Sequence, residues 1–460
     1  MGITTKVIKT EFAKAEESFE FCWVVLAEMK VRSQFSEGFA ARLLEFQSQL
    51  ATTIYRLQSV RDKIILEEKE YVRNKNAYNF EWFKAKMKLL SNFKSGIDNV
   101  VSLAKNLGDA YIHFFYRNDI ELLNEHLSHQ KIINHTASLG ELGELEFIRN
   151  FKNMGTKMTI FHGITNILRY GDFSFFDLKT RRIVEIGELK TKKIDDQRIE
   201  FKLTLFDKKK IEEIQPAKNF PSELPKDKRE RQLANITKFL SPKDKSPTID
   251  KSLINESYSE QVNKLVKFCK INGIHIDQVS PGLNFTCIKF KKASLFSRTF
   301  LRDYEKQMNM DGETLRAAAI KLMKPSTKDN SIIVGGLLQS AHDEDHSIRG
   351  TIPVFWMPLS LEVLKSIYFK DVHVVSTFNP IHVIHDVEQL GFKVESKYNS
   401  NDQDSGDKKL RVIQNFDLFI SYITSHLMTE AFVLDTIRAT QDTEFYSKDM
   451  RIAVRPQQRM

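Results

Sequence analysis

The sequence predicts a multidomain protein of mixed α and α/β class. An N-terminal helical module covers residues 1–135, a central α/β core covers 136–245, and a C-terminal α+β domain covers 246–460. Three observations lead there. The chain has 460 residues, more than one hydrophobic core ordinarily organises. Only 18 glycines and 11 prolines punctuate it, against 34 phenylalanines, which favours long uninterrupted elements. Near Ser138 the apolar pattern changes from a helical period to runs of β-branched and aromatic residues.

The helical module is read from spacing. Leu43, Leu50, Leu57 and Ile64 recur every seven residues, and Phe46 and Val60 fill the seam with Thr53 as a gap. Such a stripe suits a helical hairpin or a homodimer seam. A second helix is expected from about Tyr78 to Leu107, with Trp82, Leu90, Phe93, Ile97 and Val101 on one side and Gly108 ending it. Tyr111–Leu127 continues helical.

In the central part, Ser138 caps a predicted helix running to about Phe151, with Glu141 as its capping-box partner. Strands are expected over Lys157–His162, Ile164–Phe176, Ile183–Lys190 and Glu200–Phe206, with a turn at 178–182. Three prolines in 214–228 mark a loop, and a helix follows over Lys228–Leu240. The polar stretch 243–260 reads as a linker. Beyond it, Val262–Asn272 and Leu361–Tyr368 read as helices, and Asn284–Lys291, Ser331–Leu338, Thr351–Phe355 and His373–Ser376 as extended. Residues 398–409 read as a loop, Leu410–Leu434 as a helix, and the tail after Arg451 as frayed.

Three cysteines without a CxxC pair argue against a disulfide framework or a structural zinc site and suit a reducing compartment. The apolar run Phe21–Ala27 is too short to span a bilayer. It follows Glu16, Glu17 and Glu20 instead of a basic stretch, so no signal peptide is expected. The expected location is the cytoplasm, with no membrane partner. Net charge is +9, and residues 151–250 hold most of the excess, 22 Lys+Arg against 15 Asp+Glu. Such an excess concentrates polyanions, although a solvated lysine-rich face is the plainer explanation of charge alone.

The chemistry concentrates in Gly171-Asp172 and Glu188-Leu189-Lys190. Glu188 and Lys190 are two apart on a predicted strand and share a face. A hairpin brings Asp172 to that face from the neighbouring strand. Two carboxylates suit Mg²⁺, a hard cation held by oxygen ligands. Lys190 can orient a water or stabilise developing negative charge.

This ordered set resembles the PD-(D/E)xK nuclease superfamily, whose core is a restriction-endonuclease-like mixed sheet flanked by helices. The likeness covers residues 138–242. Glu144, in Gly140-Glu141-Leu142-Gly143-Glu144, matches a position where that family places an extra metal-site carboxylate. Arg229-Glu230-Arg231-Gln232 resembles its basic and glutamine positions after the sheet. Gly171 stands where the family's proline does. Asp177 is the alternative to Asp172, and Glu141 the alternative to Glu144. Gly187 is read as a bulge that re-aims Glu188.

The resemblance implies a Mg²⁺-dependent endonuclease for DNA, with Mn²⁺ as a substitute and a partner protein in a bacterial restriction or anti-phage defence system. Asp172, Glu188 and Glu144 would hold the metal, and Lys190 would position the nucleophile. Lys192, Lys193, Lys208, Lys209, Lys210, Arg229, Arg231 and Gln232 would contact nucleic acid. An RNase on the same site and a non-catalytic nucleic-acid-binding or assembly protein are the rival readings. His342 and His346 flank an acidic run read as an exposed loop, and His382 and His385 read as core or partly buried. His162 is read as structural, with phosphate contact as its alternative. No phosphate loop of the GxxxxGK[ST] type and no GxSxG nucleophile motif occurs.

Overall fold

The computed structural model describes residues 2–31, 37–127, 143–144, 146–148, 157–193, 199–207, 248–252, 257–289, 294–300, 334–338, 353–394, 411–413, 416–441 and 451–455. They form two compact units, Met1–Lys245 with Ser294–Phe300, and Ser246–Ala293 with Leu301–Met460.

The first unit opens with helices α1 (Thr5–Val31), α2 (Glu37–Arg73), α3 (Phe80–Tyr116) and α4 (Ile120–Leu127). The heptad residues Leu43, Phe46, Leu50, Thr53, Leu57, Val60 and Ile64 are all buried, and α2 packs against α1 and α3. The seam is therefore used within the chain and offers no dimer face. On α3 the buried stripe passes through Leu90, Phe93, Ile97 and Val100, so Val101 is off the seam and Trp82 is exposed. Gly108 does not end the helix, which runs eight residues further to Tyr116. A Cβ there would run into the Ile164 carbonyl oxygen, so the glycine serves a close approach between α3 and the segment beyond the first strand.

That strand is β1 (Lys157–Phe161), followed by β2 (Phe173–Asp177), β3 (Arg182–Lys193) and β4 (Ile199–Asp207). Their order is β1-β2-β3-β4, and every pairing is antiparallel. The described sheet is thus a simple meander, not the mixed sheet expected. Phe173, Ser174, Phe175 and Phe176 of β2 are all buried, so both faces are covered. Phe115 of α3 packs on Phe176 at 5.1 Å, and Phe147 packs on Phe173 at 4.7 Å. The outer edge of β1 is closed by one side chain. The Gln47 amide donates to Thr159 O (2.9 Å) and accepts from Phe161 N (2.7 Å).

Two expectations fail within this sheet. Ile164–Phe176 is not one strand. Residues 162–164 form a 3₁₀ turn, and an irregular stretch reaches Asp172 before β2 begins. The buried Asp109 organises that stretch, accepting from Thr165 Oγ1 and from Asn166 N at 2.8 Å. The irregularity between β2 and β3 falls at Phe175/Phe176, not at Gly187. Residues 143, 144 and 146–148 are helical, while the predicted helix 228–240 and the polar loop 398–409 lie outside the described residues.

In the second unit, β6 (Ile274–Ser280), β7 (Leu283–Lys289), β8 (Val334–Leu338) and β9 (Val372–Phe378) form an antiparallel sheet in the order β6-β7-β9-β8. The helix Ser259–Asn272 packs on β6 and β7. The part described of Thr351–Phe355 leads into a 3₁₀ turn at Val354–Trp356 instead of a strand. Leu410–Leu434 is not a single helix. Arg411–Ile413 is strand β11, paired with β10 (Phe392–Val394). Two helices follow, Asp417–His426 and Glu430–Gln441, separated at Leu427, whose φ is +60°. The tail is paired as well: β12 (Arg451–Arg455) runs parallel to β5 (Thr248–Ser252), inside the stretch read as a linker. His382 is half-buried and His385 is exposed, and His342 and His346 lie outside the described residues. No described helix is long and apolar enough to cross a membrane.

Candidate metal centre

The site is built where β2 and β3 meet. Gly171 takes φ +65°, and a Cβ there would lie 2.6 Å from Ile186 Cγ2 and 2.9 Å from Gly187 O. Only glycine makes that turn at that distance. The turn delivers Asp172, whose N–H donates to Gly187 O at 2.8 Å. Phe173 and Gly187 form the last paired position of this ladder, and Asp172 just before it and Glu188 just beyond it flank that pair. Lys190 follows two residues along β3 on the same side as Glu188.

Asp172 Oδ2 accepts from Leu189 N–H at 2.6 Å. Burial pushes the Asp172 carboxyl up to about 6. The Leu189 N–H opposes that rise, the neighbouring Glu188 adds to it, and Lys190 opposes it. These couplings place the three side chains within one electrostatic neighbourhood. Asp172 and Glu188 are half-buried and Lys190 is exposed. A half-buried carboxyl beside a second carboxylate is a donor set a hard divalent cation fits, because the cation removes both the burial cost and the repulsion.

The other predicted residues fare differently. Asp177 stands opposite Arg182 and accepts from Lys179 N (2.7 Å) and Thr180 N (3.4 Å), so it stabilises the β2–β3 turn. Glu144 accepts from Tyr55 OH of α2 at 2.9 Å. Among the described residues no three His, Cys, Asp or Glu side chains gather where they could hold a metal, so Glu144 does not join Asp172 and Glu188 in such a group. Lys192 and Lys193 continue β3. Lys208, Lys209, Lys210, Arg229, Arg231, Gln232 and Glu141 lie outside the described residues.

One neighbour was not legible as a site residue, and one read as structural proves to be so. Lys202 of β4 is exposed and pairs directly with Lys190, which sets a second cation beside the first. Like charges directly opposite repel, and an anionic ligand relieves that repulsion. The two strands were readable from the sequence, but their pairing and register, and hence this pair, were not. His162 is fully inside, so it does not contact a phosphate. Its backbone N–H donates to Asp172 O at 2.9 Å, its Nδ1 lies 3.0 Å from Gly171 O and its Nε2 lies 2.6 Å from Ser174 Oγ. Ser174 Oγ lies 2.6 Å from Tyr116 OH. Burial lowers His162 to about 4 against the opposing pull of the Gly171 carbonyl.

Compared with protein-family models, with curated proteins and with solved structures, the chain shows no match.

Proposed function

We propose that the β2–β3 edge of the first unit is the active site of a Mg²⁺-dependent nuclease that hydrolyses DNA phosphodiester bonds, in keeping with the resemblance to the PD-(D/E)xK superfamily. The observation that carries this reading is the half-buried Asp172 coupled through charge to Glu188 and Lys190, with Lys190 on the solvent side. A bound Mg²⁺ supplies an acidified water and neutralises charge on the scissile phosphate. The residues do the rest. Asp172 and Glu188 present hard oxygens, and the Leu189 N–H limits rotation of the Asp172 carboxylate. Lys190, paired with Lys202, attracts the phosphate and offsets negative charge as it develops. The basic residues 192–193, 208–210, 229 and 231 would add sequence-blind backbone contacts that weaken with salt. A bacterial restriction or anti-phage effector is the setting we assign to such an enzyme.

The test is cleavage of supercoiled plasmid and of structured RNA with Mg²⁺, Mn²⁺ or EDTA. Metal-dependent nicking of DNA, lost in Glu188→Ala and Lys190→Ala, is the expected result. Cutting of RNA alone would reassign the substrate. One observation favours a second reading: Glu144 is bonded to Tyr55 instead of joining the other two carboxylates. A protein that binds nucleic acid without cutting would bind salt-sensitively and leave both substrates intact.

A further inference from the structure

His162 grips the turn that carries Asp172 at two points. Its main chain donates to the Asp172 carbonyl, and its ring meets the Gly171 carbonyl. Behind the ring stand Ser174 and then Tyr116 near the end of α3, all three buried. The direction of each hydrogen bond follows from chemistry. A carbonyl oxygen only accepts, so Nδ1 carries the proton that meets Gly171 O. A fully buried imidazole without a carboxylate partner in these contacts is neutral, so Nε2 has a lone pair and accepts. Ser174 then donates its only hydroxyl proton to Nε2, and its oxygen accepts from Tyr116. Every donor in the chain is used, and all the protons point toward Gly171.

We infer that Tyr116, Ser174 and His162 form a one-way hydrogen-bond relay that positions Asp172, with His162 in the Nδ1–H tautomer as the residue that fixes the Gly171–Asp172 turn. The inference rests on the proposed metal site for its functional part and on the contacts alone for its structural part. It makes α3 a support of the site: Tyr116 belongs to the helix that also brings Gly108 against Ile164. His162 touches no reacting group and is a positioning residue. Its effect reaches the metal only through the placing of Asp172.

Two measurements on the full chain test it separately from the nuclease reading. The first is the nitrogen-15 two-bond correlation spectrum of the histidine side chains at neutral pH. The expected result is a neutral His162 protonated at Nδ1, with its Nε2 signal displaced in Ser174→Ala. An Nε2–H tautomer or an imidazolium overturns the relay, whatever the protein cuts. The second is Mn²⁺ binding followed by the loss of free-ion paramagnetic signal. Tyr116→Phe and Ser174→Ala, which remove hydroxyls with little change of shape, are expected to weaken Mn²⁺ binding about tenfold, as second-layer changes do. Tyr116→Phe should keep a thermal midpoint close to that of the unaltered chain. Ser174→Ala, which strands the Tyr116 hydroxyl and the His162 Nε2, should lower it by a few degrees while staying folded at the assay temperature. His162→Gln is expected to lose both fold and binding. If Glu188→Ala abolishes Mn²⁺ binding while Tyr116→Phe and Ser174→Ala leave it unchanged, the positioning role is wrong and the metal site stands. If the unaltered chain binds no Mn²⁺, the metal site and the positioning role fall together.

Discussion

Asp109 on α3 and Asp172 at the head of β2 both carry carboxyls pushed up to about 6, and burial is the first cause of each. Their surroundings differ in kind. Asp109 is 1% exposed and is met by donors: Thr165 Oγ1, Asn166 N and, through charge, the buried Lys105. Asp172 has one backbone donor, a second carboxylate close enough to raise it further, and an exposed lysine beside them. The first acid is met by donors and a buried cation, although its Oδ2 has no hydrogen-bond partner among the described residues, and it organises the 165–167 turn. The second is left with repulsion that a cation from outside would relieve. A raised carboxyl therefore points to a ligand only where the compensating charge is missing from the fold.

Changes at the two acids should separate these roles. The largest effect is expected on activity, where Asp172→Asn, like Glu188→Ala, drops plasmid cleavage to the level seen with EDTA. A structural role for Asp172 would instead leave cleavage in proportion to the folded fraction. Next comes Asp109→Ala, which strands the Thr165 and Asn166 donors and the buried Lys105. Urea unfolding should show a loss of about 3 kcal/mol. Gly108→Ala, one residue away, should cost a similar amount, about 3 kcal/mol, by forcing α3 off the Ile164 carbonyl, without altering metal affinity per folded molecule.

Asp172→Asn should act in the other direction on stability. The folded chain keeps the Asp172 proton up to about 6, against 3.8 for the ordinary carboxyl. Between those values the folded state binds more protons than the unfolded one, so this contribution falls as pH rises from about 4 to 6 and stays unfavourable above. The asparagine variant should be more stable by about 2 kcal/mol at pH 8, and the gain should shrink through pH 6 and vanish near pH 4. His162 works oppositely. Lowered to about 4 from 6.5, it stays neutral in the fold, so its contribution is lost as pH falls from 6.5 toward 4. Comparing variant with parent at each pH cancels that common background. The smallest effect belongs to Lys202→Ala, which should reduce the slope of log affinity for DNA against log salt by about 0.9 if it meets one phosphate.

Much of this was readable in the residues, and the failures have physical causes. The strands at 157–161, 182–193 and 199–207 announce themselves through β-branched and aromatic runs, and Glu188 and Lys190 share a face because a strand has period two. The heptad stripe on α2 was visible, but a stripe does not say whether its cover comes from the same chain or another. Gly108 reads as a helix end until the Ile164 carbonyl is seen against it, since only tertiary contact distinguishes a stop from a close approach. Ile164–Phe176 has strand composition, yet Asp109, 56 residues before Thr165, caps its first part into a turn. The relay was beyond reach for the same reason: Tyr116 and Ser174 are 58 residues apart, and nothing local in either marks a shared hydrogen bond.

The claim at the centre is that Asp172 and Glu188 together take up a divalent cation. Calorimetric titration of the full chain with Mg²⁺ at pH 6, in two buffers of different ionisation heat, tests it most directly. The account predicts one ion per chain with release of about half a proton, since Asp172 is then about half protonated, and no binding in Glu188→Ala. Absence of binding in the unaltered chain, or binding that survives Glu188→Ala with no proton released, would contradict it.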